Sequence, residues 1–479
     1  MRFFAFWCFI KMNILIVGNG FDLSHYLPTK YDHFMVAMEA IENWDVSKGD
    51  MSFDNLFSAL YEKEDYFFGY TKAMYKTDEL KISVDQIKEL QEKLKDNVWY
   101  QYFSDHVREV KTWIDFETKI EDALIIIGHF FNEIENYQLI ENNLSWSFLH
   151  KLKSAKEGFN LSQKKIRILE LLGLIEVSYS SYDHENDTVK ENLSYTEEWD
   201  DCQIDFLGSL IKEYRGYNEF LFSEAGKGLY KNLKNLSWLF NYYLNLVGFS
   251  QNSEFNSLFS QDFDKVYSFN YTSTFKNIYG SNANFYYLHG QANESDSTVV
   301  LGVSDLDVEL LKKYNFWGFT KYHQKLLLNT DYNFLEEFLL ESKDIQLEVD
   351  LTQNFWLNRT INGSGSVKYI RQKVERVLQE RSLDINFYIW GHSLDYSDNA
   401  YVKELFSFNE PYDQGVKIVV YYYEGAQFDL LANLIYILKK DKVENWMKKG
   451  WLKFEKNPDI AKINGIEPVE LPKMAAQAS

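Results

Sequence analysis

The sequence predicts an α/β protein, a doubly wound and mostly parallel sheet carrying large helical insertions. Three observations carry that reading. Six short apolar, β-branched or aromatic runs stand out as buried strands. Each is followed at once by polar or glycine-containing residues, as expected where ligands lie outside the carboxyl ends of parallel strands. Only 5 prolines occur, and residues 1–410 are almost free of them, which suits long helices between the strands.

The six runs are Asn13–Val17, Lys265–Phe269, Asn284–Leu288, Thr298–Leu301, Asn386–Trp390 and Val416–Tyr423. Residues 84–111, 113–137 and 217–247 have apolar residues three and four apart and read as helices, with Gly226 and Gly228 as breaks in the last. The acidic stretch 181–201 reads as a loop, and residues 305–345 as a second helical section. Residues 359–366 read as a mobile loop. This divides the chain into a nucleotide-binding core (12–50 and 260–465, with 305–380 inserted) and a mainly helical insertion at 51–259. A tail at 468–479 reads as frayed. Residues 1–11 read as an extension upstream of a natural start at Met12. A signal peptide is the alternative, disfavoured because Asn13–Val17 belongs to the core.

The formal net charge of -21 disfavours general binding to nucleic acid or acidic membranes. Cys8 and Cys202 lie far apart and neither belongs to a C-x-x-C pair, so a disulfide framework or cysteine zinc site is not expected, and a reducing cytoplasm is. The histidines show no metal-ligand spacing, and no metal is expected.

The turn Gly18-Asn19-Gly20-Phe21-Asp22 directly after the first strand suits close backbone approach to a phosphate. It departs from G-x-G-x-x-G, because Leu23 occupies the third glycine position, which argues against a dehydrogenase. Asn270, after the second run, suits a ribose or a positioned water, and caps a turn with Thr272 and Thr274 in the structural alternative. His289 suits a general base or hydroxyl partner; the alternative is a core histidine. Gly391, His392, Ser393 and Asp395 repeat the strand–glycine–polar pattern and suit phosphate binding, with Asp395 or Asp398 as helix caps. Glu424 suits ribose hydroxyls or simply the surface. Trp113–Glu117 reads as structural, with Asp115 at a helix start.

The segments ILIVGNGFDLSHYLPTKY, WIDFE, SFNYTSTF, YLHG with LGVSD, and IWGHSLDYSD together resemble the AbiH family of bacteriophage abortive-infection proteins. Tyr26 departs from it, since the family usually has glycine before LPT. AbiH proteins are in turn similar to sirtuin-like NAD-binding domains. The resemblance implies a Rossmann-like, sirtuin-like pocket lined by Gly18 to Asp22, Asn270 and His289. It implies NAD as substrate or ligand, with Asn270 and His289 as the pair that cleaves the nicotinamide glycosidic bond. A protein deacylase is disfavoured, because sirtuin deacylases carry a four-cysteine zinc module. The alternative is a catalytically silent nucleotide sensor, with a phage-derived trigger and self-association as the partners implied.

Overall fold

The computed structural model describes residues 11–472, except 106–112, 142–143, 145, 156–157, 179, 184–187, 192–202, 215–216, 253–261, 281, 294–296, 305, 331–332 and 362–366. Cys8, Cys202 and nearly all of the expected extension lie outside the described residues.

Six strands form the central sheet: β1 (Met12–Val17), β2 (Lys265–Ser268), β3 (Asn284–Tyr287), β4 (Ile385–Trp390), β5 (Lys417–Tyr422) and β6 (Leu452–Lys456). Their order is β3-β2-β1-β4-β5-β6, and every pairing is parallel. Winding therefore reverses between β1 and β4, and in open α/β sheets such a switch point is where a ligand crevice opens. The register aligns Val17 with Ser268 and Trp390, so the loops that follow β1, β2 and β4 emerge together at one edge.

Both faces of the sheet are covered, which is why the inner strands read as continuous apolar runs. Ile14 and Ile16 pack on one side with Phe387, Ile389, Val402 and Leu434. Leu15 and Val17 pack on the other with Phe21, Phe275 and Ile460. The helices that matter below are α1 (Asn19–Ser24), α2 (Trp113–Glu141), α3 (Phe222–Leu246), α4 (Thr274–Tyr279), α5 (Lys321–Leu328), α6 (Glu336–Ile361), α7 (Val367–Arg381) and α8 (Asn399–Leu405). The insertion shares its apolar cluster with the core region, since Phe116 and Phe130 of α2 and Phe240 of α3 belong with Val299, Leu301 and Phe316. No helix among the described residues is long and apolar enough to cross a membrane.

Several expectations are corrected. Thr298–Leu301 is buried but joins no strand. Its backbone is engaged by loops instead: Val300 N–H donates to the His289 carbonyl (3.3 Å), and the Val300 carbonyl accepts from the Tyr271 hydroxyl (2.8 Å). The sixth strand is β6, whose LKFEK alternation belongs to an edge and carries too few apolar residues to stand out. Residues 217–247 begin as a strand, Tyr217–Phe220, before α3, which runs unbroken through Gly226 and Gly228. Within 181–201, Ser180–Asp183 pairs with Thr188–Glu191, and the remainder lies largely outside the described residues. Arg359 to Ile361 finish α6 rather than begin a loop, and 362–366 lie outside the described residues. The tail is tied down at its start, where Val469 N–H donates to the Gly69 carbonyl at 3.2 Å; residues 473–479 lie outside the described residues.

Candidate functional site

The glycines of the first turn are there for each other. Gly18 N–H donates to the Trp390 carbonyl (3.0 Å), and Gly20 N–H donates to the Gly391 carbonyl (2.9 Å). A Cβ on Gly18 would lie 2.6 Å from the Gly391 oxygen, and one on Gly20 2.8 Å from the Gly391 Cα. Gly391 has φ +71°, and its Cβ would fall 2.0 Å from Phe21 N. The backbone approach that a dinucleotide fingerprint reserves for pyrophosphate is thus taken up by the loop after β4. Phe21 turns into the core, edge-on to Trp390 with centroids 4.9 Å apart, while Asn19 is half-buried.

Asp22 ends this turn and is buried. Thr272 Oγ1 donates to Asp22 Oδ2 at 2.6 Å, and Thr274 Oγ1 donates to Thr272 Oγ1 at 3.0 Å. Oδ1 has no hydrogen-bond partner. Burial raises this carboxyl to about 6, against the lowering influence of Thr272, Thr274 and Asn270. Asn270 is buried beside it, its backbone pinned by Ser268: its N–H donates to Ser268 Oγ (3.1 Å), whose hydroxyl donates to the Asn270 carbonyl (3.0 Å). Asp22, Asn270, Thr272 and Ser273 line the polar side of a narrow cleft whose apolar side is Val17, Phe21 and Phe275. The free space between these side chains is about that of one water molecule, so a sugar or a longer ligand enters only if the lining moves.

Across β2 lies a second cluster, ionic and buried. Asp398, in the turn before α8, sits between two histidines, with His392 Nε2 at 3.4 Å and His289 Nε2 at 3.8 Å. His392 Nδ1 accepts from Leu394 N–H (2.9 Å), which directs a protonated Nε2 at the carboxylate. Phe269 packs edge-on against both imidazoles. From α5, Lys321 pairs with Glu117 of α2, and Lys325 donates to the Tyr401 hydroxyl at 2.9 Å. Burial brings Lys325 down to about 7, helped by Lys321 and opposed by Asp398 and Glu117. Burial also holds His289 well below its usual range, helped by Lys325 and Lys321 and opposed by Asp398. For Asp398, burial alone would raise the carboxyl, but His392, His289 and Lys321 outweigh it and hold it low. Burial raises Glu117, with Lys321 opposing. The result is a buried site with two carboxyl groups, two lysines and two histidines.

Most expected residues therefore meet at one edge, in two groups. Gly18, Gly20, Asp22, Asn270 and Thr272 belong to the first; His289 and His392 belong to the second; Gly391 closes on the glycine turn. No hydrogen bond joins Asn270 to His289 among the described residues. Ser393 is exposed, and Asp395 caps the turn that carries Asp398 by accepting from Ser397 N–H at 2.9 Å. Glu424 lies out on the surface, its side chain 88% exposed and 3.9 Å from Lys456. The sequence reading missed Glu117, Lys321, Lys325 and Asp398 as site members. WIDFE, expected to be structural, contributes Phe116 to the core but Glu117 to the site.

A family model described as bacteriophage abortive infection AbiH matches residues 14–422, running from within β1 to the end of β5. The chain belongs to the AbiH family. Membership places it among phage abortive-infection proteins. No curated protein and no solved structure matches it. The AbiH match spans both groups of the site and leaves β6 outside. At Tyr26, φ is +55°. Leu27 N–H donates to the Asp22 carbonyl (3.1 Å) and Tyr26 N–H to the Leu23 carbonyl (3.0 Å), the bonding of a left-handed helix stop that glycine normally fills.

Proposed function

We propose that this AbiH protein is an abortive-infection effector that binds NAD, or a nucleotide related to it, in a Rossmann-like core and hydrolyses the nicotinamide glycosidic bond. Asp22 carries the reading. A buried carboxylate with one oxygen left without a partner, between the loops that follow β1 and β2, is positioned to accept from ribose hydroxyls. Asn270 and Thr272 would orient the same sugar.

His289 does not line the Asp22 cleft, and β1 and β3 end two strand spacings apart, about 10 Å, so a ligand that engages both would have to reach beyond that cleft. Bond cleavage passes through an oxocarbenium-like state, and the protein's task is to position the ribose, stabilise developing positive charge and admit water. Ionised Asp398 supplies negative charge, and His289 would hydrogen-bond a ribose hydroxyl or the attacking water. Weak basal activity is expected, because a ligand enters this cleft only if its lining, from the ends of β1, β2 and β3, moves apart.

NAD in infected cells and in purified preparations, compared among wild type, Asp22→Asn, Asn270→Ala and His289→Ala, tests the proposal. Depletion in wild type and its loss in folded variants is expected. Depletion that persists in all three variants removes the site assignment. Protection with unchanged NAD replaces the enzyme by a silent nucleotide sensor.

A further inference from the structure

Helix α6 has two opposite apolar faces, and only one of them is covered. Ser342, Ile345 and Val349 recur three and four residues apart and are 4%, 0% and 0% exposed against the body of the protein. On the other side Leu340, Leu347, Leu351 and Phe355 fall in one line and are 57%, 58%, 61% and 51% exposed. An amphipathic surface helix shows water a polar face, so a second apolar stripe of this length calls for a second packing partner.

Helix α7 packs back along α6 as a hairpin. Arg381 Nη1 donates to Glu348 Oε2 at 2.9 Å, and Trp356 meets Tyr369 edge-on at 4.9 Å. The two helices differ sharply in charge. Over α6 stand six acids, among them Glu341 and Asp344, against two bases; over α7 stand five bases, among them Arg371 and Arg376, against two acids. The whole chain carries -21, which opposes self-association in general, yet the hairpin is nearly balanced and internally complementary. A surface whose two halves are complementary to one another is matched by a second copy of itself about a two-fold axis.

We propose that this chain dimerises through the outer face of the α6–α7 hairpin. The exposed stripes of two copies form the core of a four-helix bundle, and each acidic α6 lies beside its partner's basic α7. The inference does not depend on the nucleotide reading.

Sedimentation velocity on the full chain at about 20 μM tests it. Wild type is expected at twice 56.8 kDa. Leu347→Glu with Leu351→Glu is expected to give a monomer with unchanged circular dichroism, its self-affinity reduced at least about 100-fold, since charges replace two core residues. A charge pair covers the case in which that variant does not fold. Glu341→Lys with Asp344→Lys in one chain, and Arg371→Glu with Arg376→Glu in another, should each dimerise poorly alone and associate when mixed. A monomeric wild type, a dimer untouched by the leucine substitutions, or mixed charge variants that stay apart would each overturn the proposal.

Discussion

Replacing Gly391 with alanine tests whether the glycines at the sheet edge serve loop against loop. The added Cβ would sit 2.0 Å from Phe21 N, 2.3 Å from Gly20 C and 2.7 Å from Gly20 Cα. All three are backbone atoms, so no side-chain tip can swing away. Overpacking of this kind costs about 1–3 kcal/mol. The left-handed backbone at φ +71° adds about 1 kcal/mol for any residue with a Cβ, giving a sum of roughly 2–4 kcal/mol. Gly425→Ala separates the two contributions, because Gly425 has φ +90° but nothing within 4 Å of its Cβ position, so only about 1 kcal/mol is expected there. Gly228→Ala sets the opposite sign. It lies in α3 with open space around it and should stabilise by about 0.5–1 kcal/mol. The assay is denaturant unfolding at constant m-value, with midpoints compared across the three variants. Equal losses for Gly391→Ala and Gly425→Ala would refute the argument, since the interlocked turns would then contribute nothing.

Three further outcomes are expected. Tyr26→Ala should be less stable than Tyr26→Gly by about 1 kcal/mol, because both lose the stacking on Tyr70 but only glycine relieves φ +55°; equal midpoints would contradict this. Asp22 has a folded pKa raised from 3.8 to about 6, so its favourable contribution is complete below 3.8 and is lost as pH rises through about 6. Asp22→Asn should therefore gain on wild type by on the order of 2–3 kcal/mol between pH 4 and 7, and a flat difference across that window would show that burial does not perturb this carboxyl. Glu117→Gln alone should destabilise by roughly 3 kcal/mol by stranding Lys321, and Lys321→Met added to it should recover most of the loss in a double-mutant cycle; additive losses would show that the two are not coupled.

Five of the six sheet strands were legible to within about two residues, because a strand buried on both faces has no polar alternation to obscure it. The same rule misled at Thr298–Leu301, which is equally apolar yet buried by neighbouring loops, and it passed over β6, where lysines face the solvent. The glycine turns, Asn270 and His289 were legible because each directly follows a strand. Lys321 and Lys325 were not, since α5 reverses the usual pattern. Its lysines and Gln324 point inward, while Leu326, Leu327 and Leu328 are 47%, 76% and 36% exposed. Glu117 was hidden for a different reason. It gains a role only when α2 meets α5, more than 200 residues later in the chain.

The central pair of strands sets a timetable for the protein's birth. β1 is made first, but it lines up beside β4, and the Asn386 side chain that bonds to Asn13 lies 373 residues downstream. At ribosomal speeds of roughly 5–20 residues per second, β1 waits about 20–75 s for that neighbour. The edge that carries both halves of the candidate site therefore closes only when translation is nearly finished. β2 reaches one side of β1 earlier in that interval, so the nascent chain passes through the last of it with only the β4 side of β1 open.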